Sequence, residues 1–228
     1  MKIIVAGATS HLAQEFINLL GKDIEIFALI RSEKDRDIFK DHSNITSILV
    51  DYDKNHYENL LSLINKADRL VFINFSTLTI DGLFINQDIN AFKKVNNANL
   101  MTSIGPLLSI VQHMIEAKWG RIIMLSSTRG IKGDVGISPY AISKSSLIGL
   151  SNSLSKEYAK FNITSNVINL GYFDSPLWKS IPENKRKQLI KQIPSKRTGA
   201  AEDLIPLFNC LIESNYINGA HIDLDGGL

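Results

Sequence analysis

A single cysteine, Cys210, stands among 228 residues, which excludes an internal disulfide and any cysteine-built metal site. Its neighbours Leu207, Phe208, Leu211 and Ile212 predict that it is buried on the apolar face of a helix. No apolar run approaches the roughly 20 residues of a membrane span. Charge of one sign is missing too: 25 basic against 23 acidic side chains leave +2, too little to argue for nucleic acid or an anionic membrane. The histidines (His11, His42, His56, His113 and His221) show no metal-ligand spacing. Repeats, low-complexity tracts and linker-like stretches are absent. The opening Met1-Lys2-Ile3-Ile4-Val5 enters a strand at once and leaves no room for a signal peptide, so a cytoplasmic protein is expected.

What is present is a chain that is 44% hydrophobic and long enough to bury a sizeable core in a single domain over residues 1–228. Short β-branched runs alternate with helical patterns. Strands are predicted at Lys2 to Ala6, Ile24 to Ile30, Ile45 to Val50, Leu70 to Ile73, Gly120 to Ser126 and Ile163 to Leu170, with a last one within Tyr216 to Gly227. Between them, helices are predicted over the segment ending at Leu20, over Lys34 to Lys40, over Tyr57 to Lys66 and over Asp88 to Lys118, the last bent by Pro106. Ser175 to Gln192 reads as a helical, basic excursion, reaching with its flank to about residue 197. Its lysines favour an anionic substrate on one reading and an ordinary solvated face on the other.

The chemistry gathers between Met124 and Lys144. An apolar run ends in Ser126-Ser127, a glycine-punctuated loop follows, and Pro139 opens a long helix. Tyr140 and Lys144 are four residues apart, on one helix face and roughly 6 Å apart along the axis. A free phenol has a pKa of about 10, and a nearby cation lowers it. Such a tyrosine can give a proton to a developing alkoxide or take one back. Ser127, 13 residues before Tyr140, closes a strand where its hydroxyl can hold a substrate oxygen.

Ser127, Tyr140 and Lys144 at this spacing resemble the catalytic set of the short-chain dehydrogenase/reductase family, and the resemblance runs from Lys2 to Gly227. It implies an α/β fold of Rossmann type: a doubly wound, parallel, seven-stranded sheet flanked by helices. It adds Asn99 to the catalytic set, as the asparagine whose helix distortion holds a proton-relay water, with Asn96 and Asn97 as close competitors. The nucleotide would lie along Gly7, Thr9, Ser10, His11 and Leu12, where only Gly7 keeps the family's glycine pattern and Ser10 or His11 replaces a second glycine. It would continue past Asp51-Tyr52 and Asn74-Phe75-Ser76, the family's Asn-Asn-Ala-Gly here being Asn74-Phe75-Ser76-Thr77. It would end at Tyr140, Lys144, Gly171, Phe173 and Ser175. In NAD-binding relatives an acidic residue follows the second strand. Here Ile30 holds that place and Arg31-Ser32 come next, a pair suited to a 2′-phosphate, so NADP(H) is preferred and NAD(H) is the alternative. Glu33 and Asp35 add opposing charge nearby.

The implied activity is hydride transfer between a nicotinamide and a small-molecule carbonyl or secondary alcohol, with the 3-oxoacyl-acyl-carrier-protein reductases nearest in layout. The face of small residues on the Tyr140 helix implies a homo-oligomer, dimer or tetramer, unless those residues pack inside the subunit. Two other readings stand. The altered glycine and asparagine motifs suit a dinucleotide-binding protein with little turnover, and Gly7-Ala8-Thr9-Ser10 suits a sugar-nucleotide-modifying relative. The second expects a further substrate domain, for which the 84 residues after Lys144 (228 minus 144) leave no room.

Overall fold

The computed structural model describes residues 1–52 and 57–228, Leu177 without its side chain; His56 lies outside the described residues. Seven strands carry the chain: β1 (Lys2–Ala6), β2 (Glu25–Ile30), β3 (Ile45–Leu49), β4 (Leu70–Asn74), β5 (Gly120–Ser127), β6 (Ile163–Leu170) and β7 (His221–Leu224). They form one sheet in the order β3-β2-β1-β4-β5-β6-β7, and every neighbouring pair is parallel. Ile3 to Ala6 of β1 and Leu70 to Ile73 of β4, at the centre, are unbroken apolar runs because a parallel sheet is covered on both faces.

Successive side chains then point to opposite layers. Ile3 and Val5 of β1, with Ile26, Ala28 and Ile30 of β2, pack under α1 (His11–Leu19) and α9 (Ala201–Glu213), where Phe16 meets Phe208 edge to face at 4.8 Å. Ile4 and Ala6, with Phe27 and Leu29, face α2 (Glu58–Leu61), α4 (Thr102–Ala117) and α6 (Ser138–Tyr158). The other helices are α3 (Ile89–Asn96), α5 (Thr128–Lys132), α7 (Pro176–Ser180) and α8 (Glu183–Gln192).

Several sequence expectations change. Cys210 is exposed. Helix α9 buries Ala201, Leu204, Phe208 and Leu211, a three-four spacing, and position 210 is turned about 200° from 208, onto the outer face. The segment expected to be helical from Tyr57 to Lys66 keeps only α2, since Asp68 ties back the Asn65 amide at 2.7 Å and turns the chain toward β4. Lys34 to Lys40 is a 3₁₀ segment, Glu33–Phe39, and the loop after Ser127 contains α5, which was not foreseen. The long helix before β5 is divided where the resemblance put the distortion at Asn99. Its irregularity is a π-helical turn over Asn97–Met101, between α3 and α4, with Pro106 inside α4.

Candidate active site

Strands β2 and β3 lie on one side of β1, and β4 to β7 on the other. At that reversal the crossovers leave for opposite faces and open a crevice beyond the carboxyl ends of β1 and β4. Two cavities occupy the crevice, about 790 Å³ and about 550 Å³. The larger touches Arg31, Asp51, Tyr52, Lys93 and Asn97, whereas the smaller holds Ser127, Tyr140 and Lys144 and so carries the chemistry.

The turn after β1 separates them. Gly7 has φ +67°, and a Cβ there would stand 2.5 Å from the Ser76 amide nitrogen and 2.7 Å from its Cα. Glycine is therefore required for β1 to turn against the loop after β4. Ser10 caps α1, its Oγ accepting from the Ala13 amide at 3.3 Å, and the Thr9 carbonyl accepts from Gln14 Nε2 at 2.8 Å. Ser10, His11 and Leu12 line the smaller cavity, with His11 Nδ1 3.4 Å from the Glu15 carboxylate. The α1 amino end, in a helix of nine residues, thus faces the crevice, where a helix terminus favours a pyrophosphate.

At the far end the Arg31 guanidinium lies 5.2 Å from the centre of the Tyr52 ring. Glu33, whose charge opposes an anion there, is engaged by Arg36, and Arg36 is itself anchored on the Ser47 carbonyl at 2.7 Å. The neighbouring Ser32 caps the 3₁₀ segment through the Lys34 amide at 3.3 Å. Arg31 is exposed, beside a cavity that Asp51 and Tyr52 also line. These residues fit a nucleotide that carries a 2′-phosphate.

Three segments bring the catalytic candidates together: the end of β5 supplies Ser127, the first turn of α6 begins the Tyr140–Lys144 face, and the π-helical turn supplies Asn99. Tyr140 lines the smaller cavity together with Ser127 and Thr77, whose hydroxyls act on the phenol. Burial lifts the Tyr140 pKa above its ordinary value, and the two hydroxyls and the nearby Arg129 guanidinium counteract that only in part. Lys144 is buried, and its Nζ donates to the carbonyls of Ser76 and Leu125, both at 2.9 Å. Loss of solvent pulls its own pKa down to about 7. Here the cation acting on the phenol is Arg129, while Lys144 spends its protons on two backbone carbonyls.

Asn99 is fully buried. Its Oδ1 accepts from the Leu78 amide at 2.6 Å, and its Nδ2 donates to the Leu78 carbonyl at 2.9 Å and to Ser143 Oγ at 2.8 Å. Of the asparagines in that turn, Asn97 faces the larger cavity and Asn99 faces α6, which favours Asn99 for the role in the set. Asn74 is equally inward. Its Nδ2 donates to Ser103 Oγ at 2.5 Å and Thr102 Oγ1 at 3.1 Å, and its Oδ1 accepts from the Ser76 amide at 2.7 Å. Gly7, Asn74, Ser76 and Asn99 therefore stand behind the cavity walls and shape them, whereas Phe75, Gly171, Phe173 and Ser175 lie on the wall itself.

The Gly171 to Ser175 wall is braced from the carboxyl end of the chain. Gly171 N donates to the Leu224 carbonyl at 3.0 Å, and a Cβ at Gly171 would stand 2.7 Å from Asp225 Cα. Phe173 pairs with Gly199 in an isolated bridge, and Ser175 caps α7 through the Trp178 amide at 3.1 Å. Sequence reading missed Thr77, and it missed the ion pair in which Arg129 Nη2 lies 2.8 Å from Asp134 Oδ2 at the mouth of the smaller cavity. A signal existed for Arg129, two positions after Ser127, but nothing local showed its pairing. Among the described residues no group of three or more His, Cys, Asp or Glu side chains is placed to hold a metal ion, and no helix is long and apolar enough to cross a membrane.

Comparison with known proteins agrees with this geometry. The sequence profile of the family described as short chain dehydrogenase matches residues 1–186. The 3-oxoacyl-[acyl-carrier-protein] reductase of Chlamydia trachomatis is 32% identical over 191 residues, covering 81% of this chain and 76% of that protein. The same-named reductase of Rickettsia conorii is 34% identical over 178 residues, covering 77% and 73%. Among solved structures, that of ElxO with NADP bound superposes with a TM-score of 0.89 at 21% identity over 99% of this chain and 97% of that one. A putative 2-deoxy-D-gluconate 3-dehydrogenase from Agrobacterium tumefaciens, also with bound NADP, gives 0.86 at 22% identity, covering 99% and 95%.

Proposed function

Because this chain belongs to the short-chain dehydrogenase family, we propose that it is an NADP(H)-dependent oxidoreductase that interconverts a carbonyl and a secondary alcohol. The observation that carries the reading is that Ser127, Tyr140 and Lys144, supplied by β5 and α6, line one cavity at the inner end of the crevice. The nicotinamide, when bound, supplies or accepts the hydride. Ser127 holds the substrate oxygen. In the reducing direction Tyr140 Oη gives that oxygen its proton, and in the oxidising direction takes it back. Lys144 and Asn99 fix the loop after β4 against α6, so that the phenol and the nucleotide-facing wall keep one geometry. Arg31 holds the 2′-phosphate, and Ser10 with the α1 amino end faces the pyrophosphate.

The substrate class we propose is a 3-oxoacyl thioester, in keeping with the names of the relatives. The apolar wall of Phe173, Trp178, Ile181 and Leu189 suits an acyl chain. The protein works in the cytoplasm as a homo-oligomer. Supporting the oligomer, the π-helical turn and α4 expose Met101 and Leu108, and α6 turns Ile142, Ser145 and Gly149 outward, with open space before Gly149. The inner small residues have another use: Ser151 and Ser165 exchange a hydrogen bond at 3.0 Å within the subunit.

The test is a panel of carbonyl compounds, 3-oxoacyl thioesters included, with NADPH consumption as the readout. Consumption with a 3-oxoacyl thioester supports the reading. A protein that quenches or enhances NADPH fluorescence on binding yet reduces nothing on the panel belongs to the non-turnover alternative instead.

A further inference from the structure

Ser10 and His11 stand where the family's pattern has its second glycine, and both line the smaller cavity. Their side chains are committed differently. Ser10 Oγ accepts from the Ala13 amide at 3.3 Å and so serves the helix. His11 Nδ1 lies 3.4 Å from Glu15 Oε2, one turn further along α1. That nitrogen is buried and has no hydrogen-bond partner among the described residues, whereas the side chain as a whole is 35% exposed. The ring therefore turns Nδ1 to the helix and offers the cavity its Nε2 edge. The other charged groups on this wall come from elements facing α1, and most are already engaged. Arg129 of α5 pairs with Asp134, Asp81 in the loop after β4 accepts from Thr79, and Lys144 of α6 donates to two carbonyls. Lys185 of α8 is exposed at the cavity's edge. Among the described residues, Glu15 is the charged group within ion-pair distance of the imidazole.

We propose that His11 couples nucleotide binding to protonation: its imidazolium, braced by the Glu15 carboxylate, donates from Nε2 to a pyrophosphate oxygen. The reason lies in hydrogen-bond capacity. A neutral imidazole has one donor and one acceptor. With its single proton on Nδ1, toward the carboxylate, Nε2 turns a lone pair to the phosphate, and the two repel. A second proton, taken from solvent, lets both nitrogens donate, Nδ1 to Glu15 and Nε2 to the nucleotide. An adjacent anion favours that charged form. Imidazoles change charge between about pH 5 and 8, so the coupling falls in the neutral range. Linkage fixes the sign: a nucleotide that prefers the protonated ring makes the ring bind its proton more tightly. Affinity is therefore greatest where the ring is already charged, falls as the pH rises through its range, and levels off above it. A glycine in this place has no such response. The inference deepens the cofactor part of the proposed function and rests on it.

The experiment is calorimetric titration of NADP⁺ into wild type and His11→Gln at pH 5.5, 7 and 8.5, with two buffers of different ionisation heat at pH 7 to count protons. His11→Gln keeps a polar side chain and removes the titrating ring. The 2′-phosphate titrates alike in both experiments and cancels in the comparison. The expected result is that wild-type affinity falls about tenfold further than that of the variant from pH 5.5 to 8.5. At pH 7 wild type takes up about half a proton more on binding. His11→Asn stands in if the glutamine variant lowers the melting temperature. Parallel pH profiles with equal proton uptake overturn this proposal alone. A protein that binds no NADP⁺ at any pH overturns it together with the cofactor reading, so the two failures are distinguishable.

Discussion

Replacing Lys144 by methionine removes a buried amine while keeping an unbranched side chain of similar length. The folded protein holds this amine near pKa 7 through burial, against the ordinary 10.5. Each unit of that difference corresponds to about 1.4 kcal/mol, so the full shift is worth about 5 kcal/mol. The sign follows from which state holds the proton. Between pH 10.5 and 7 the unfolded chain binds a proton at Lys144 that the folded chain does not. The contribution of this group to stability is therefore most favourable above 10.5, falls as the pH falls, and levels off below about 7. From pH 9.5 to pH 7 the loss comes to about 3 kcal/mol. Lys144→Met lacks this slope. It also leaves the carbonyls of Ser76 and Leu125 without the amine, a constant penalty of about 1–3 kcal/mol for each buried group left unpaired. Urea unfolding of both proteins at pH 7 and 9.5 separates the two effects. Wild type should gain about 3 kcal/mol relative to the variant on going to pH 9.5. Parallel pH dependence would refute the reasoning and mean that the two carbonyls keep Lys144 charged throughout.

Three further outcomes are expected. Arg31→Ala should weaken NADPH binding about tenfold and leave NADH binding within about twofold, as read by nucleotide fluorescence; equal losses would remove the 2′-phosphate contact. Gly7→Ala should cost roughly 2 kcal/mol or more in thermal unfolding, because φ there is +67° and the Cβ meets Ser76 backbone rather than a yielding side chain. Gly149→Arg, with open space before the glycine, should fold normally yet lower the oligomer mass seen by light scattering; an unchanged mass would place the interface elsewhere.

The strands, their order of appearance and the Ser127, Tyr140 and Lys144 set were legible because each rests on local signals: β-branched runs, glycine turns, and one helical turn's spacing. What misled was non-local. Cys210 sits between apolar residues in sequence, yet the helix phase set by Leu204, Phe208 and Leu211 carries it outward. The tyrosine–lysine spacing fixes a shared face but says nothing of what each end group meets. Lys144 reaches the carbonyls of Ser76 and Leu125, 68 and 19 residues away in sequence, and burial then governs its charge. Asn99 and Asn74 were identified from the pattern alone. Their use as ties holding the Thr77 loop depends on Ser103, Ser143 and Leu78 converging from three parts of the chain. The Arg31 argument gained from the fold, since Glu33 is taken up by Arg36.

The central claim is that the Tyr140 phenol passes the proton while nucleotide binding is borne by other groups. Single-turnover reduction of a confirmed carbonyl substrate by Tyr140→Phe, with NADPH affinity measured on the same sample, tests it most directly. The account predicts a rate at least about 100-fold below wild type, within the range of general-acid contributions, and an NADPH affinity within about threefold. A variant reducing the substrate at the wild-type rate would contradict it.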